Sequence, residues 1–293
     1  MNILHRKEIQ HVLALGGGGA RGLAHIGVLK VLQREGIEIK GVVGTSMGAI
    51  VGAMFAYYGD ALEVEEIIRK FLGSKFHEKF GKTFFVLSEN PDVYREPGKI
   101  IKRLGDGFIY LKAASKKAIF SRDILTDTLG FLLPDVQFKE MRIPFACIST
   151  DIMSGKEIIF KSGRLMPAVI ASSSIPGIVE PFRTSGSLLV DGSTTSAVPV
   201  AAARKIFPGK LVAVDVSMEL KRDEQPSTAL EIAMRANEIT SFHLNQVQLA
   251  GADVVIHPKV GRTNWANFDK LDEMIRTGEI AARKSLPQVK KHN

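Results

Sequence analysis

The sequence predicts an α/β fold: a three-layer α/β/α arrangement around a mostly parallel central sheet. Three observations carry that expectation. Short apolar runs alternate with helix-like segments along most of the 293 residues. Those runs are nearly continuous in apolar character, as strands covered on both faces are. Glycine-rich turns separate strand from helix in the two opening units.

In chain order, VLAL (12–15) reads as the first strand and residues 20–34 as the helix after it. IKGVV (39–43) is the second strand, with a helix over 47–58. Further strands are expected at IPFACIST (143–150), EIIF (157–160), SLLVD (187–191), LVAVDV (211–216) and DVVIH (253–257). Segments 227–250 and 268–291 read as helices, the second with an interruption at Pro287, whose ring removes a helix donor. There is no internal repeat and no low-complexity tract.

Residues 75–120 have a different texture, with lysine and arginine interleaved with aromatics in KFHEKFGKTFF and KIIKRLGDGFIYLKAASKKAIF. One reading is a solvated, irregular insertion with some amphipathic helix. The other is a lid or membrane-facing segment, in which basic side chains meet phosphate headgroups and aromatics enter the interface.

A hydrophobic content of 45% with 24% charged residues is ordinary for a globular chain with a sizeable core. The net charge of +8 suits an anionic partner, nucleic acid or a membrane surface. No helix-turn-helix, zinc-finger or RNA-binding signature is present, so no nucleic acid partner is expected, and peripheral contact with an anionic membrane surface is retained. The single cysteine, Cys147, cannot form an intramolecular disulfide; it reads as a buried structural thiol in a reducing, cytoplasmic compartment. The opening MNILHRKEIQH lacks the apolar core of a secretion signal. The uncharged stretch 41–59 approaches membrane-spanning length, but its five glycines and early turn motif make it a buried strand–turn–helix. Oligomeric state leaves no mark in the sequence.

Two glycine motifs carry the chemistry. Gly17-Gly18-Gly19-Ala20-Arg21-Gly22 satisfies G-x-G-x-x-G between a strand and a helix, the setting of a dinucleotide site and hence of a nucleotide-binding oxidoreductase. Such a site also requires a carboxylate at the tip of the second strand to hold the ribose hydroxyls. Here that tip is Val43-Gly44-Thr45-Ser46, and Glu38 precedes the strand. Gly44-Thr45-Ser46-Met47-Gly48 is instead a G-x-S-x-G, in which a sharp strand-to-helix turn exposes a nucleophilic serine. Gly44 and Gly48 give the turn its room, and the helix starting at Met47 directs its N-terminal dipole at the reacting centre. Acyl transfer by Ser46 needs preorganised N–H donors for the oxyanion, which the bare amides of the glycine loop on the neighbouring strand are placed to supply.

The base is open on these grounds. Asp191, Asp151 and Asp215 each end an apolar run. A Ser-His-Asp triad needs a histidine, and His25 in the first helix and His257 at a strand end are the candidates considered. His25 reads more simply as a packed helix residue and His257 as a strand-end residue. An α/β-hydrolase fits poorly, because only one strand and one helix precede the elbow.

Together GGGARG (17–22), GTSMG (44–48) and DGS (191–193) resemble the patatin-like phospholipases, as do GLAHIGVLKVL after the loop and ASSSIPGIVEPF (171–182) before the aspartate. The resemblance is dense over about 10–60 and 140–260 and weak between, and points to the compact bacterial members, hence to a single hydrolase domain over 1–293. It implies a Ser–Asp dyad without histidine: Ser46 as nucleophile, Asp191 as base, and the amides of Gly17, Gly18 and Gly19 as the oxyanion hole. Arg21, Gly22, Gly44, Gly48 and Gly192 support the motifs, with the role of Arg21 open between anchoring the loop and touching a headgroup. Ser193 departs from the family's glycine or alanine at that position. The implied activity is a serine lipid acyl hydrolase (phospholipase, lysophospholipase or esterase) acting on a lipid or other acyl ester through an acyl-enzyme. No cofactor and no metal are implied. The alternatives are the nucleotide-binding oxidoreductase and a catalytically silent regulator on the same scaffold.

Overall fold

The computed structural model describes residues 10–74, 118, 120–220, 226, 229–261 and 263–291. The predicted basic, aromatic segment 75–120 lies outside the described residues except at 118 and 120. The architecture is the expected one: a mostly parallel mixed sheet with helices on both faces. Its strands are β1 (His11–Leu15), β2 (Ile39–Gly44), β3 (Phe145–Asp151), β4 (Lys156–Phe160), β5 (Phe182–Arg183), β6 (Leu188–Asp191), β7 (Lys210–Val214) and β8 (Val254–Ile256). They are joined in the order β5-β6-β3-β2-β1-β7-β8, with β4 also paired to β3. The β3-β2-β1-β7-β8 run is parallel, while β4, β5 and β6 pair antiparallel.

Successive strand residues face opposite sides of the sheet, and the core divides accordingly. Leu13, Leu15, Val42, Cys147, Val212 and Val214 pack on one face. Val12, Ala14, Val43, Ala146, Leu211 and Ala213 pack on the other. The first face is covered by α1 (Ala24–Arg34), α2 (Met47–Tyr58), α3 (Ala61–Leu72), α5 (Leu165–Ser172) and α8 (Leu271–Lys290). The second receives α6 (Val200–Ile206) and the end of α7 (Ala229–Leu249). The remaining described helix, α4 (Asp123–Leu132), adds Leu129 and Leu132 to the first core. Cys147 is fully buried, and burial raises its thiol pKa, in keeping with a structural thiol.

The sheet has one junction that matters for function. β4 runs along one edge of β3, over residues 147–151. The other edge is shared: β2 pairs with its first half, placing Gly44 opposite Cys147, and β6 pairs with its second half, placing Asp191 opposite Ser149. Because β2 is parallel and β6 antiparallel to β3, their C-termini face each other. The gap is the two-residue step from Cys147 to Ser149, about 7 Å.

The helices differ from the sequence expectations in three respects. The segment expected as one helix over 20–34 opens as a 3-10 turn, Gly19–Leu23, before α1. Helix α8 runs through Pro287 without a break. The proline lies in the last turn, where its missing N–H forfeits one bond, and Lys210 Nζ caps the helix end by donating to the Gln288 carbonyl (2.7 Å) and to that of Lys291. Helices α3, α4, α5 and α6 were not expected; α3 begins with Asp60 accepting from the Leu62 N–H at 2.8 Å and carries Arg69 and Lys70 in its last turn, where the dipole favours cations. None of the described helices is long and apolar enough to cross a membrane.

α1 and α8 touch through their backbones. A Cβ on Gly27 would lie 1.9 Å from the Ile275 carbonyl oxygen, and one on Gly278 would lie 2.0 Å from that of Ala24. Lys30 bridges Glu65 of α3 (2.7 Å) and Glu279 of α8 (3.0 Å) beside this contact. Gly278→Ala is therefore expected to lower stability by about 1–3 kcal/mol or more, through forced separation of the two helices. Urea unfolding followed by circular dichroism measures it; an unchanged midpoint would contradict the contact.

Candidate active site

Two residues beyond the end of β2 the chain leaves the sheet at Ser46, with φ 54° and ψ −122°. Ser46 is the only non-glycine residue at positive φ among the described residues. Such a conformation costs about 1–3 kcal/mol and persists where its surroundings hold it. The Thr45 N–H donates to the Leu15 carbonyl at 3.0 Å, the Gly48 N–H to the Thr45 carbonyl at 2.8 Å, and the Thr45 hydroxyl to the Ser196 carbonyl at 3.2 Å. The Ser46 N–H donates to the buried Ser172 hydroxyl at 3.1 Å. A Cβ on Gly44 would lie 2.4 Å from the Gly48 carbonyl oxygen, and one on Gly48 would lie 2.1 Å from that of Leu15, so the turn closes only with glycine at both.

Asp191 ends β6 across the junction. Its N–H donates to the Ser174 carbonyl at 2.8 Å, and its Oδ1 accepts from the Ser193 N–H at 2.8 Å and from the Ser193 hydroxyl. Gly192 lets the chain turn against β3, since a Cβ there would be 2.5 Å from the Ile148 carbonyl oxygen. The carboxylate is buried, and its Oδ2 has no hydrogen-bond partner among the described residues. Burial raises the Asp191 pKa, opposed by the Ser193 hydroxyl, the nearby Ser46 hydroxyl and the Ser193 amide. Oδ1 is thus occupied twice, and Oδ2 is the free oxygen of the carboxylate.

The glycine loop follows β1. A Cβ on Gly17 would lie 3.2 Å from both Ser46 Cβ and Ser193 Oγ, so loop, serine and aspartate turn adjoin. The Gly17 N–H donates to the Ala197 carbonyl at 2.9 Å, which removes it from the expected set of oxyanion donors. Gly18 and Gly19 remain, their N–H groups without acceptors among the described residues. Gly19, at φ 55°, lies under the Trp265 carbonyl, where a Cβ would come within 2.3 Å. Gly18 packs against Val216 and Gly22 against Met47 with comparable closeness. Met47 opens α2, so its N–H also lacks a helical partner, and it was not among the expected donors.

Two side chains set the direction of the loop's peptides. Arg21 Nε donates to the Gly18 carbonyl at 3.1 Å, and His25 Nε2 donates to the Gly16 carbonyl at 2.8 Å. In a trans peptide the C=O and N–H point opposite ways, so holding the Gly18 carbonyl turns the Gly19 N–H to the other side. Burial lowers the pKa of Arg21 to about 10, against the pull of Asp215 and then Glu238, and it stays cationic at neutral pH. Burial lowers that of His25 to about 4, so its ring is neutral.

The other candidate bases are committed elsewhere. Asp151 accepts from the Met153 N–H (3.2 Å), the Leu188 N–H (3.1 Å) and the Ser154 hydroxyl (2.7 Å) in the β3–β4 turn. Asp215 lies 3.2 Å from His257 Nδ1 and accepts from the Ser217 N–H at 3.0 Å. Burial pushes Asp215 up, but its bonds to His257 and Ser217 outweigh it and hold the pKa below the ordinary range. The same bond to Asp215 raises the pKa of His257 despite partial burial.

A sequence profile described as patatin-like phospholipase matches residues 13–204. An uncharacterized NTE family protein of Mycobacterium tuberculosis is 31% identical over 232 residues, covering 78% of this chain and 56% of its own length. Lysophospholipase NTE1 of Pyricularia oryzae is 26% identical over 292 residues, covering 91% of this chain and 18% of its own. The chain thus spans little more than half of the first relative and under a fifth of the second. Among solved structures, VipD from Legionella pneumophila aligns with a TM-score of 0.45 at 14% identity, over 96% of this chain and 67% of that one.

The Asp215–His257 pair yields a pH-dependent stability. A raised histidine pKa stabilises fully below the unfolded value of about 6.5 and loses that contribution as pH rises through the folded value. A depressed aspartate pKa stabilises fully above about 3.9 and loses its contribution as pH falls through the folded value. His257→Asn should therefore lower the melting temperature most between roughly pH 4 and 6.5. The deficit should shrink by pH 8.5; a constant deficit across that range would contradict the pair.

Proposed function

The chain belongs to the patatin-like phospholipase family, and on that premise we propose that it is a serine acyl hydrolase acting on lipid esters through a Ser46–Asp191 dyad. One observation carries the reading. A strained serine stands at a strand end facing a buried aspartate, one of whose oxygens has no partner among the described residues, beside a loop whose Gly18 and Gly19 amides find no acceptor among them. The dinucleotide alternative has no such support, because Thr45 and Ser46 occupy the strand tip where a ribose-binding carboxylate is required.

The steps follow from the roles. Asp191 Oδ2 accepts the Ser46 proton as the serine oxygen bonds to the ester carbonyl carbon. The carbonyl oxygen, now an alkoxide, is stabilised by the Gly18 and Gly19 N–H groups, with the Met47 N–H at the start of α2 as a further donor. The tetrahedral adduct collapses, the carbon–oxygen bond to the alcohol breaks, and Asp191 returns the proton to the departing lyso-lipid or alcohol. Asp191 then takes a proton from water, whose oxygen attacks the acyl-enzyme, and a second collapse restores the Ser46 hydroxyl and frees the fatty acid. An ordinary aspartate, at about 3.9, is a weak base for a serine, so the burial that raises Asp191 works in favour of the reaction.

The chain is taken as one catalytic unit, because a single sheet joins β1 to β8 and α8 packs on α1. Peripheral contact with an anionic lipid surface belongs to the same proposal, supported by the net charge of +8.

A fluorophosphonate probe should label Ser46 and lose its target in Ser46→Ala; persistent ester turnover in that variant would remove the assignment. Asp191→Asn should reduce kcat by about 10²–10⁴-fold with the fold intact by circular dichroism, and a near-normal rate would exclude Asp191 as the base. The base must be ionised to act, so wild-type turnover should decline as pH falls, with a midpoint above the ordinary aspartate value.

A further inference from the structure

Ser193 follows the aspartate turn and donates to Asp191 Oδ1 twice, through its N–H and its hydroxyl, and the mechanism above gives it no task. We infer that Ser193 is a positioning residue of the dyad: its hydroxyl, with its own N–H, holds Asp191 Oδ1 so that Oδ2 is presented to Ser46. The inference rests on the dyad reading and assigns what selects one carboxylate oxygen over the other.

The geometry supports it from three sides. Asp191 is the last residue of β6, and Ser193 lies in the short 3-10 turn that follows, so both Ser193 donors reach back to one oxygen. The other oxygen is buried without a partner among the described residues. A Cβ on Gly17 would lie 3.2 Å from Ser193 Oγ, which places the hydroxyl against the glycine loop as well as the carboxylate. A carboxylate with both donors on Oδ1 cannot rotate about its terminal bond without breaking both. With only the backbone N–H on Oδ1, rotation breaks a single bond and the free oxygen wanders.

The hydroxyl also acts on the proton affinity of the base. It donates to the ionised carboxylate and so favours it, opposing the burial that raises the Asp191 pKa. Among the described residues, the ionisable side chains on the elements packed against this turn are turned elsewhere or exposed; on α7, which reaches the turn through Gln248, Arg235 pairs with Glu238 and His243 is exposed. Asp151 on β3 is held by its own turn, Arg21 beyond the glycine loop donates to Gly18, Arg164 before α5 pairs with Asp135, and Arg183 on β5 is exposed. None of them contributes to the shift of Asp191, which is raised by burial and lowered by the Ser193 hydroxyl, the nearby Ser46 hydroxyl and the Ser193 amide. Removing the Ser193 hydroxyl therefore raises the pKa of Asp191 further.

The test is the pH–rate profile of the full chain on a p-nitrophenyl acyl ester for wild type, Ser193→Ala and Ser193→Thr. Asp191→Asn identifies the limb that belongs to the base. Ser193→Ala should move the acid-limb midpoint of kcat/KM up by about half a unit to one unit, a three- to tenfold loss on that limb, with KM within about twofold of wild type. Ser193→Thr, which keeps the hydroxyl, should return the midpoint towards the wild-type value. Equal melting temperatures for the three proteins show that packing is intact. An acid limb that Ser193→Ala leaves in place overturns the inference while the dyad stands. So does a shift that Ser193→Thr shares in full. Turnover surviving in Ser46→Ala overturns the dyad itself, and the inference with it.

Discussion

The site depends on a meeting of two strand ends. β2 and β6 share one edge of β3 and approach it from opposite directions, so that Gly44 and Asp191 lie opposite Cys147 and Ser149. A parallel strand delivers its C-terminal loop to the top of the sheet, and an antiparallel one would ordinarily deliver its loop to the bottom. β6 brings a C-terminal aspartate to the top edge because it stops halfway along β3. On the facing strand, the chain leaves β2 for the helix that starts at Met47, and the backbone of Ser46 takes up the strain of that exit.

Holding that arrangement falls mainly to uncharged groups. Hydroxyls of Ser172 and Thr45 and the carbonyls of Leu15, Ala197 and Ser174 fasten the elbow, the glycine loop and the aspartate strand to one another. The charged groups are kept one layer back. Arg21 sits behind the glycine loop, and Asp215 with His257 beyond it, each engaged with a partner of its own. An arginine bonded directly to Asp191 would hold its pKa down and, in the proposed mechanism, weaken it as a base. A second carboxylate there would raise the cost of ionising it. Among the described residues the centre is polar, buried and without a counter-charge, an environment in which fixed amide dipoles act strongly on an anion.

How much of this can be read from the chain depends on the range of the interaction. The strands are legible because burial on both faces leaves only apolar residues, as in HVLAL and FACISTD. The two glycine motifs are legible because backbone lies where a Cβ would be, at Gly44 and Gly48 above all. What cannot be read locally is pairing. Asp151, Asp191 and Asp215 are equivalent as strand-end carboxylates, and only the register of β6 on β3 distinguishes the second. The bond from Ser46 to Ser172 spans 126 positions, and that of Gly17 to Ala197 is equally remote, so neither the support of the elbow nor the loss of a donor is visible in the motif itself. Pro287 misled for a related reason: its effect depends on how near the helix end lies and on Lys210, which belongs to another element.

The contact between α1 and α8 has a consequence for how the molecule comes into being. Helix α1 is synthesised well before α8, and the surface that Gly27 offers is covered only when Gly278 arrives. At ~5–20 residues per second a ribosome takes tens of seconds to supply it. During that interval the β1–α1 unit has a bare apolar flank, because the helix that covers it lies far along the chain. The α1 flank is therefore exposed to other apolar surfaces until α8 docks, however stable the finished fold.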